Sequence, residues 1–520
     1  MDSANQSWIP EPLSSLQRGL AQILSSYVTH DGNQRDPIPF MFFLFTAIVA
    51  ALIWRMFQGE RSTPALPPGS FGLPIIGDTI SYLSAYQNMT TKKWFEEKRK
   101  KYGPLFKTSV MFQKTVFLDE PGGCKLMFGQ PDEKLIGGVY SKSNRVIAGP
   151  NSLILENGKV HKTYRKYLIT HFLGADAVGR YLPLMEQNAL DHIQRYWLSK
   201  EDGARVIALE LLQMFTFSIA TELLLSIKDV AVVEELRSIF AEYSLGMMST
   251  TINLPGFQYH RSLKCRDKIH NIFQASIEKR RGELKEGLAS PNQDYLSIFL
   301  TQPDENGHFH TDEQIRVLLT NIVWAGSDTT AASMSMVLRA VSKHPEVYKE
   351  LIEEHRAIAA NRTEGEPLTR QEVRSMKYTW AVIQETLRIT PATTDISRQA
   401  MADIDHKGYI IPKGYKLVCS AAQSMWNPDV YPDPEKFDPS RFLRTGATKS
   451  TEPFTFFAFG GSTRYCPGQE FAKLSMLAFF HHFFKNVVYT MEEPEERVLY
   501  RFMVYPEKGM PLRIQKCKLY

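Results

Sequence analysis

Residues 459–468, Phe-Gly-Gly-Ser-Thr-Arg-Tyr-Cys-Pro-Gly, constrain this chain more than any other stretch. One cysteine, Cys466, stands in a glycine-rich loop, and residues 469–485 after it read as an apolar helix. Free N–H groups and the macrodipole of that helix would favour a thiolate just ahead of its N-terminus. A thiolate placed there serves as a nucleophile, a redox centre or an axial ligand to iron. No nearby Cys or His completes zinc-ligand spacing, so a tetrahedral metal site is excluded on spacing. A buried, inert cysteine is the ordinary fate of a lone one.

The rest of the chain decides between these. Hydrophobic residues make up 43% of its 520 residues, enough for a large core, and without internal repeats one large domain is favoured over an array. The formal net charge of +5 is too small to argue for nucleic acid as a partner. Five scattered cysteines, an odd number, match a reduced, cytosol-facing protein better than a disulfide scaffold.

Residues 37–57 are expected to form a transmembrane anchor: 38–54 carry no charge and 40–54 are almost continuously apolar. About 36 residues precede the apolar run, which argues against a cleaved signal peptide. Asp2, Glu11, Asp31 and Asp36 outweigh the basic residues before the span, while Arg55 and Arg61 follow it. The positive-inside rule therefore puts residues 1–36 in the lumen and the long C-terminal part in the cytosol. In the lumenal segment Asn5-Gln6-Ser7 matches a glycosylation sequon. Residues 58–78, with Pro64, Pro67, Pro68, Gly69, Gly72, Pro74 and Gly77, read as a stiff non-helical hinge, leaving 79–520 as the main domain.

Within that domain, charged residues 92–101 read as a surface helix, followed by short strands near 105–108 and 115–118. Another helix begins at residue 157; His161 and Arg165 share one of its faces and could clamp a carboxylate. Residues 182–277 read as mainly helical, interrupted by a loop at 246–256. Thr311-Asp312-Glu313-Gln314 is a capping box opening a helix that runs to about Ser342. In its middle lies Ala325-Gly326-Ser327-Asp328-Thr329-Thr330, a set of poor helix formers expected to widen or kink it. Asp328 beside Thr329 there puts an acid next to an alcohol between apolar flanks, a pairing suited to proton delivery. Glu385 and Arg388, three apart, can pair on one helix face, and Arg441 could complete a buried network. Strands are expected at 408–411 and 415–419, and a turn between two strands at 504–511.

Taken together, these stretches resemble the cytochrome P450 superfamily of haem-thiolate monooxygenases, from about Leu66 to the C-terminus and in family order. The resemblance implies a mainly α fold with small β-sheets behind the membrane helix. Ala325–Thr330 matches the oxygen-activating helix, Glu385 and Arg388 the Glu-x-x-Arg pair that bonds Arg441, and Phe459, Arg464, Cys466 and Gly468 the ligand loop. By the same carry-over Cys466 ligates haem b, Ala325 borders the haem, and His161, Arg165, Arg398 and Arg464 contact its propionates. Trp324, Ala325 and Asp395 would line the substrate pocket, with a turn-stabilising role as the alternative for Asp395. Two departures stand in the ligand loop. Ser462 occupies a position usually glycine, where a positive φ would strain it, and Ala458 replaces a usual proline. Residues 66–79 and Phe106-Lys107-Thr108 look like the plant branch of brassinosteroid, triterpenoid and diterpenoid oxidases.

The implied activity is oxidation of a hydrophobic terpenoid or steroid-like molecule with O2. Electrons come from NADPH through a membrane-bound cytochrome P450 reductase meeting a basic face that includes Lys162 and Lys166. The implied setting is the endoplasmic reticulum membrane. Two rivals stay open: a P450-fold hydroperoxide isomerase or dehydratase, disfavoured because Asp328-Thr329 and the loop length are kept, and a non-catalytic membrane haem protein.

Overall fold

The local chemistry of each helix start sets the framework. Thr311 caps Asp312–Lys343 through a complete capping box with Gln314, and Asp312 and Glu313 fill the first turn. Thr369 and Glu372 do the same for Arg370–Ser375. The computed structural model describes residues 66–516 except 74–75, 120–122, 132–133, 138–141, 151, 250, 364, 444–454 and 502. The anchor expected at 37–57 and the segment before it lie outside the described residues. Among the described residues one helix, Ala208–Leu225, is long and apolar enough to cross a bilayer, and 67% of it is buried inside the fold.

That helix packs along Asp312–Lys343 and ties two cores together. Phe215 and Ile219 join Met334 and Leu338 in one core, which also takes Phe479, Phe480, Phe483 and Phe484 from Gln469–Asn486. Phe217 and Leu224 join Leu318 and Val323 in the other. Each such aromatic or aliphatic side chain contributes about 1.5–3 kcal/mol on burial. Residues 325–330 fall between the two anchored ends of the central helix.

No break interrupts the helix there. Ser327, Thr329 and Thr330 hydroxyls do donate back one turn, to the carbonyls of Val323 at 2.7 Å, Ala325 at 2.6 Å and Gly326 at 2.9 Å. The chain stays α-helical from Asp312 to Lys343. A carbonyl has two lone pairs, so it serves the hydroxyl and the helical N–H together.

The helical stretch after residue 182 comprises Leu182–Ile193, Ala208–Leu225, Val230–Leu245 and Gln258–Lys285, with a short turn Gly246–Met248 opening the expected loop. A strand not anticipated, Arg205–Ile207, lies among them. The largest sheet has the order Leu105–Val110, Gln113–Leu118, Lys416–Ser420, Asp395–Ala400, Leu135–Gly137. Its second and third strands run parallel and the other neighbours antiparallel. The turn near 507–510 does separate two strands, but they do not pair together. Met503–Pro506 pairs with Val498–Arg501, and Pro511–Lys516 lies between Arg205–Ile207 and Val487–Met491.

The proline-rich stretch is fastened over its second half: Lys107 donates from its backbone N–H to Pro68 and from Nζ to Pro67, both at 2.7 Å. One expectation is corrected. The cysteines are not all reduced: Cys124, on the helix Gly123–Gly129, and Cys419, on Lys416–Ser420, form a disulfide across 295 residues of sequence. Spacing that wide hides a pair that only the folded sheet brings together.

Candidate active site

The loop carrying Cys466 is held by backbone bonds. Cys466 N–H donates to Phe459 C=O at 2.8 Å, Gly460 N–H to Phe457 C=O at 2.8 Å, and Tyr465 N–H to Ser462 C=O at 3.1 Å. These close the loop just before Gln469–Asn486 begins. Ser462 adopts φ +60°, so the serine does sit in the left-handed region where glycine costs least. Its side chain is exposed and meets no wall. Cys466 is a free thiol. Burial pushes that thiol up, and it outweighs the Gly468 N–H and the Arg165 charge that favour the thiolate.

Behind the loop lies a saturated ion pair. Glu385 and Arg388, on Lys377–Ile389, are both fully buried. Arg388 donates from Nε to Glu385 Oε2 at 2.7 Å and from Nη2 to Oε1 at 2.8 Å. Its other donors reach the carbonyls of Met425 at 3.1 Å and Pro434 at 2.7 Å. Asp438 N–H donates to Glu385 Oε1 at 2.9 Å, and Arg441 Nε stands 3.4 Å from the same oxygen. The three residues picked from sequence meet at one carboxylate.

One cavity of about 2160 Å³ is lined by Phe459, Arg464, Cys466 and Gly468, and also by Ala325, Asp328 and Thr329 of the central helix. His161, Arg165 and Arg398 line it too. On Gly158–Leu168 the buried His161 and half-buried Arg165 belong to the cavity, while Lys162 and Lys166 are exposed and Lys166 pairs with Glu305 at 2.6 Å. Arg464 reaches out of its loop to Asn157 Oδ1 at 2.6 Å and to Glu156 C=O at 2.8 Å. It passes over Gly137, where a Cβ would lie 2.6 Å from the guanidinium carbon, and Gly137 is the register partner of Arg398. A side chain at that position would have to displace the Arg464 guanidinium.

Along the central helix, Trp324 is buried whereas Ala325 opens onto the cavity, and a Cβ on Gly326 would meet nothing within 4 Å. Asp328 Oδ1 accepts from Gln213 Nε2 at 3.4 Å, and Gln213 Oε1 accepts from Arg237 Nη2 at 2.6 Å. Burial pushes the Asp328 carboxyl up, opposed by the Arg237 charge and the Gln213 and Ser244 bonds. Sequence reasoning missed Gln213 and Arg237. The available signal was Gln213 itself, the one amide side chain in Ala208–Leu225.

Asp395 lines the cavity, and it is a strand residue rather than a turn residue. It opens the strand Asp395–Ala400, opposite Ser420, and its Oδ2 accepts from the Tyr82 hydroxyl of Thr79–Gln87. Burial pushes its carboxyl up as well.

The family model for cytochrome P450 matches residues 67–510. The chain belongs to the cytochrome P450 family. It is 36% identical over 454 residues to a taxane 10-beta-hydroxylase of Taxus cuspidata, covering 87% of this chain and 90% of that protein. To a beta-amyrin 28-monooxygenase of Kalopanax septemlobus it is 32% identical over 481 residues, 92% and 98% of the two chains. Among solved structures, the retinoic acid-bound cyanobacterial CYP120A1 superposes with a TM-score of 0.76 at 26% identity, over 87% of this chain and 99% of that one. This P450 is a monooxygenase, and its family implies a haem-thiolate iron. The residues present fit that group: the free thiol of Cys466, the open helix face at Ala325 and Gly326, and four basic side chains share one cavity. At about 2160 Å³ that cavity is more than twice the usual ~300–1,000 Å³ of a ligand site, room for a prosthetic group and a substrate together.

Proposed function

We propose that this P450 hydroxylates or further oxidises a terpenoid, with Cys466 as the residue whose sulfur would ligate the iron of haem b. The observation that carries the reading is the single cavity shared by Cys466 and by Asp328-Thr329. The relatives named for taxane and beta-amyrin oxidation supply the substrate class. When bound, the haem supplies O2 activation and oxidation of an unactivated C–H bond, one oxygen entering the substrate and the other leaving as water.

The chain's own residues do the rest. His161, Arg165, Arg398 and Arg464, which line the cavity, would hold the haem propionates by charge-assisted hydrogen bonds. The Glu385–Arg388–Arg441 network braces the thiolate side. The Thr329 hydroxyl donates its proton to Ala325 C=O, which leaves its oxygen lone pairs to hold water in the cavity. Asp328, with a carboxyl shifted up by burial, holds a proton at its carboxylate oxygens closer to neutral pH than an ordinary aspartate, and passes it toward that water. Trp324 and Ala325 shape the pocket, and Asp395 shapes it through Tyr82.

Electrons come from NADPH through a cytochrome P450 reductase docking on a basic face near Lys162 and Lys166. An anchor at residues 37–57 holds the domain on the cytosolic side of the endoplasmic reticulum. Co-expression with a plant reductase, followed by a terpenoid and sterol screen, tests the reading. NADPH-dependent oxygenated product is expected; substrate conversion that proceeds without NADPH or reductase would favour the isomerase alternative instead.

A further inference from the structure

Four arginines line the cavity, and they fall into two groups. Arg464 belongs to the Cys466 loop, Arg165 bears on the Cys466 charge, and Arg398 neighbours Gly137, over which Arg464 passes. Arg237 stands apart on Val230–Leu245, the helix that follows Ala208–Leu225. Its guanidinium makes one hydrogen bond, Nη2 to Gln213 Oε1 at 2.6 Å, and among the described residues no carboxylate pairs with it directly. Asp328 is reached only through the Gln213 amide.

A guanidinium carries five N–H donors, so one bond leaves four without a protein acceptor among the described residues, on a half-buried side chain that lines the cavity. The same cavity is lined by the apolar Phe217 and Phe240 as well as by the polar Ser238 and Ser244. A hydrocarbon filling that space would strip water from the cation and return nothing, which is unfavourable for a charge. A ligand with an acceptor oxygen would replace the lost water by a charge-assisted bond.

We propose that Arg237 is a specificity-determining residue that binds an oxygen already present on the terpenoid, a hydroxyl or ester, so that the substrate is a pre-oxygenated terpenoid rather than the parent hydrocarbon. The inference rests on the terpenoid reading above. The Gln213 bridge ties this anchor to the helix turn that carries Asp328 and Thr329. An oxygen held at Arg237 thus fixes the skeleton's orientation and selects which carbon stands beside Thr329. A reaction that places an oxygen on the skeleton, or on the chain from which it is cyclised, must supply the substrate.

The test is a binding panel on the haem-loaded, full-length enzyme. Two series are used: a taxane-skeleton hydrocarbon, its alcohol and the acetate of that alcohol; and 3-deoxy-beta-amyrin, beta-amyrin and its acetate. Dissociation constants are read by equilibrium dialysis and by the ligand-induced absorbance shift. In at least one series the oxygenated member should bind about 10- to 100-fold tighter than its hydrocarbon, the range for a hydrogen bond to a charged group. Arg237→Leu should bring that ratio close to one, and Arg237→Lys, which keeps the charge and loses the fork, should give an intermediate ratio. The proposal is overturned if no oxygenated member binds tighter than its hydrocarbon in either series. It is equally overturned if both variants keep the ratio while the pH profile of coupling shifts alike for every ligand, because Arg237 then serves only Asp328. Active enzyme with no such preference would sink this inference alone, whereas an Arg237-dependent preference without NADPH-driven turnover would sink only the monooxygenation reading.

Discussion

The two ends of the cavity are built in opposite ways. At the Cys466 end, backbone hydrogen bonds close the loop and a fully buried Glu385–Arg388 pair has its donors and acceptors saturated. At the Asp328 end, the backbone is an uninterrupted helix and the chemistry hangs on side chains, with Asp328 held lightly, by Gln213 at 3.4 Å and by Ser244. The difference teaches a division of labour. A ligand to iron has to stay at one position, and a saturated network gives that rigidity. A group that takes up and passes on a proton has to exchange partners, and a lightly held carboxyl allows it.

The comparison breaks most visibly at Glu385. Glu385→Ala should strand Arg388 in the core and cost about 3–5 kcal/mol, seen as loss of folded, haem-loaded protein in thermal melts. If the variant melts like the parent, the rigid end does not depend on that network. At the other end the fold should survive and the chemistry should not. Asp328→Asn and Thr329→Ala should keep the melting temperature within a few degrees while product per NADPH falls, on the order of 10²-fold for Asp328→Asn. Unchanged coupling would remove the proton-transfer role.

Acid should weaken the rigid end. His355 is held down to about 3, chiefly by burial, and the same cause depresses its ring neighbour His481 on the Gln469–Asn486 helix. His192, also at about 3, packs its ring against Phe479 of that helix. These histidines are neutral in the fold and titrate near 6.5 when unfolded, so the unfolded chain binds more protons below that pH. Their contribution is complete above about pH 6.5 and is lost as the pH falls toward 3. Melting temperature and haem retention should decline together over that window, and His355→Gln should flatten the decline. The smallest effect belongs to Ser462. Relief of its φ of +60° in Ser462→Gly is worth about 1 kcal/mol, partly offset by the freer unfolded chain, so a gain of a degree or two in melting temperature is expected.

How much of this was legible in the sequence follows the same division. The rigid framework announces itself locally: Thr311 with Gln314, Thr369 with Glu372, and the short-range spacing of Glu385 and Arg388 each encode their own contact. Ser462 declared its strained conformation by standing where a glycine fits best. What stayed hidden are contacts between distant segments. Cys124 meets Cys419 across 295 residues, Tyr82 meets Asp395 across 313, and Gln213 meets Asp328 across 115. Local propensity also pointed to a break at residues 325–330, and with both flanks packed into separate cores the helix runs through without one.

The central claim is that the rigid end exists to present the Cys466 sulfur to iron. The most direct measurement is the absorbance spectrum of the reduced, carbon monoxide-bound protein, compared between the natural chain and Cys466→Ala. The account predicts a red-shifted Soret band in the natural chain that disappears in Cys466→Ala; a Cys466→Ala protein that binds haem and keeps the band would contradict it.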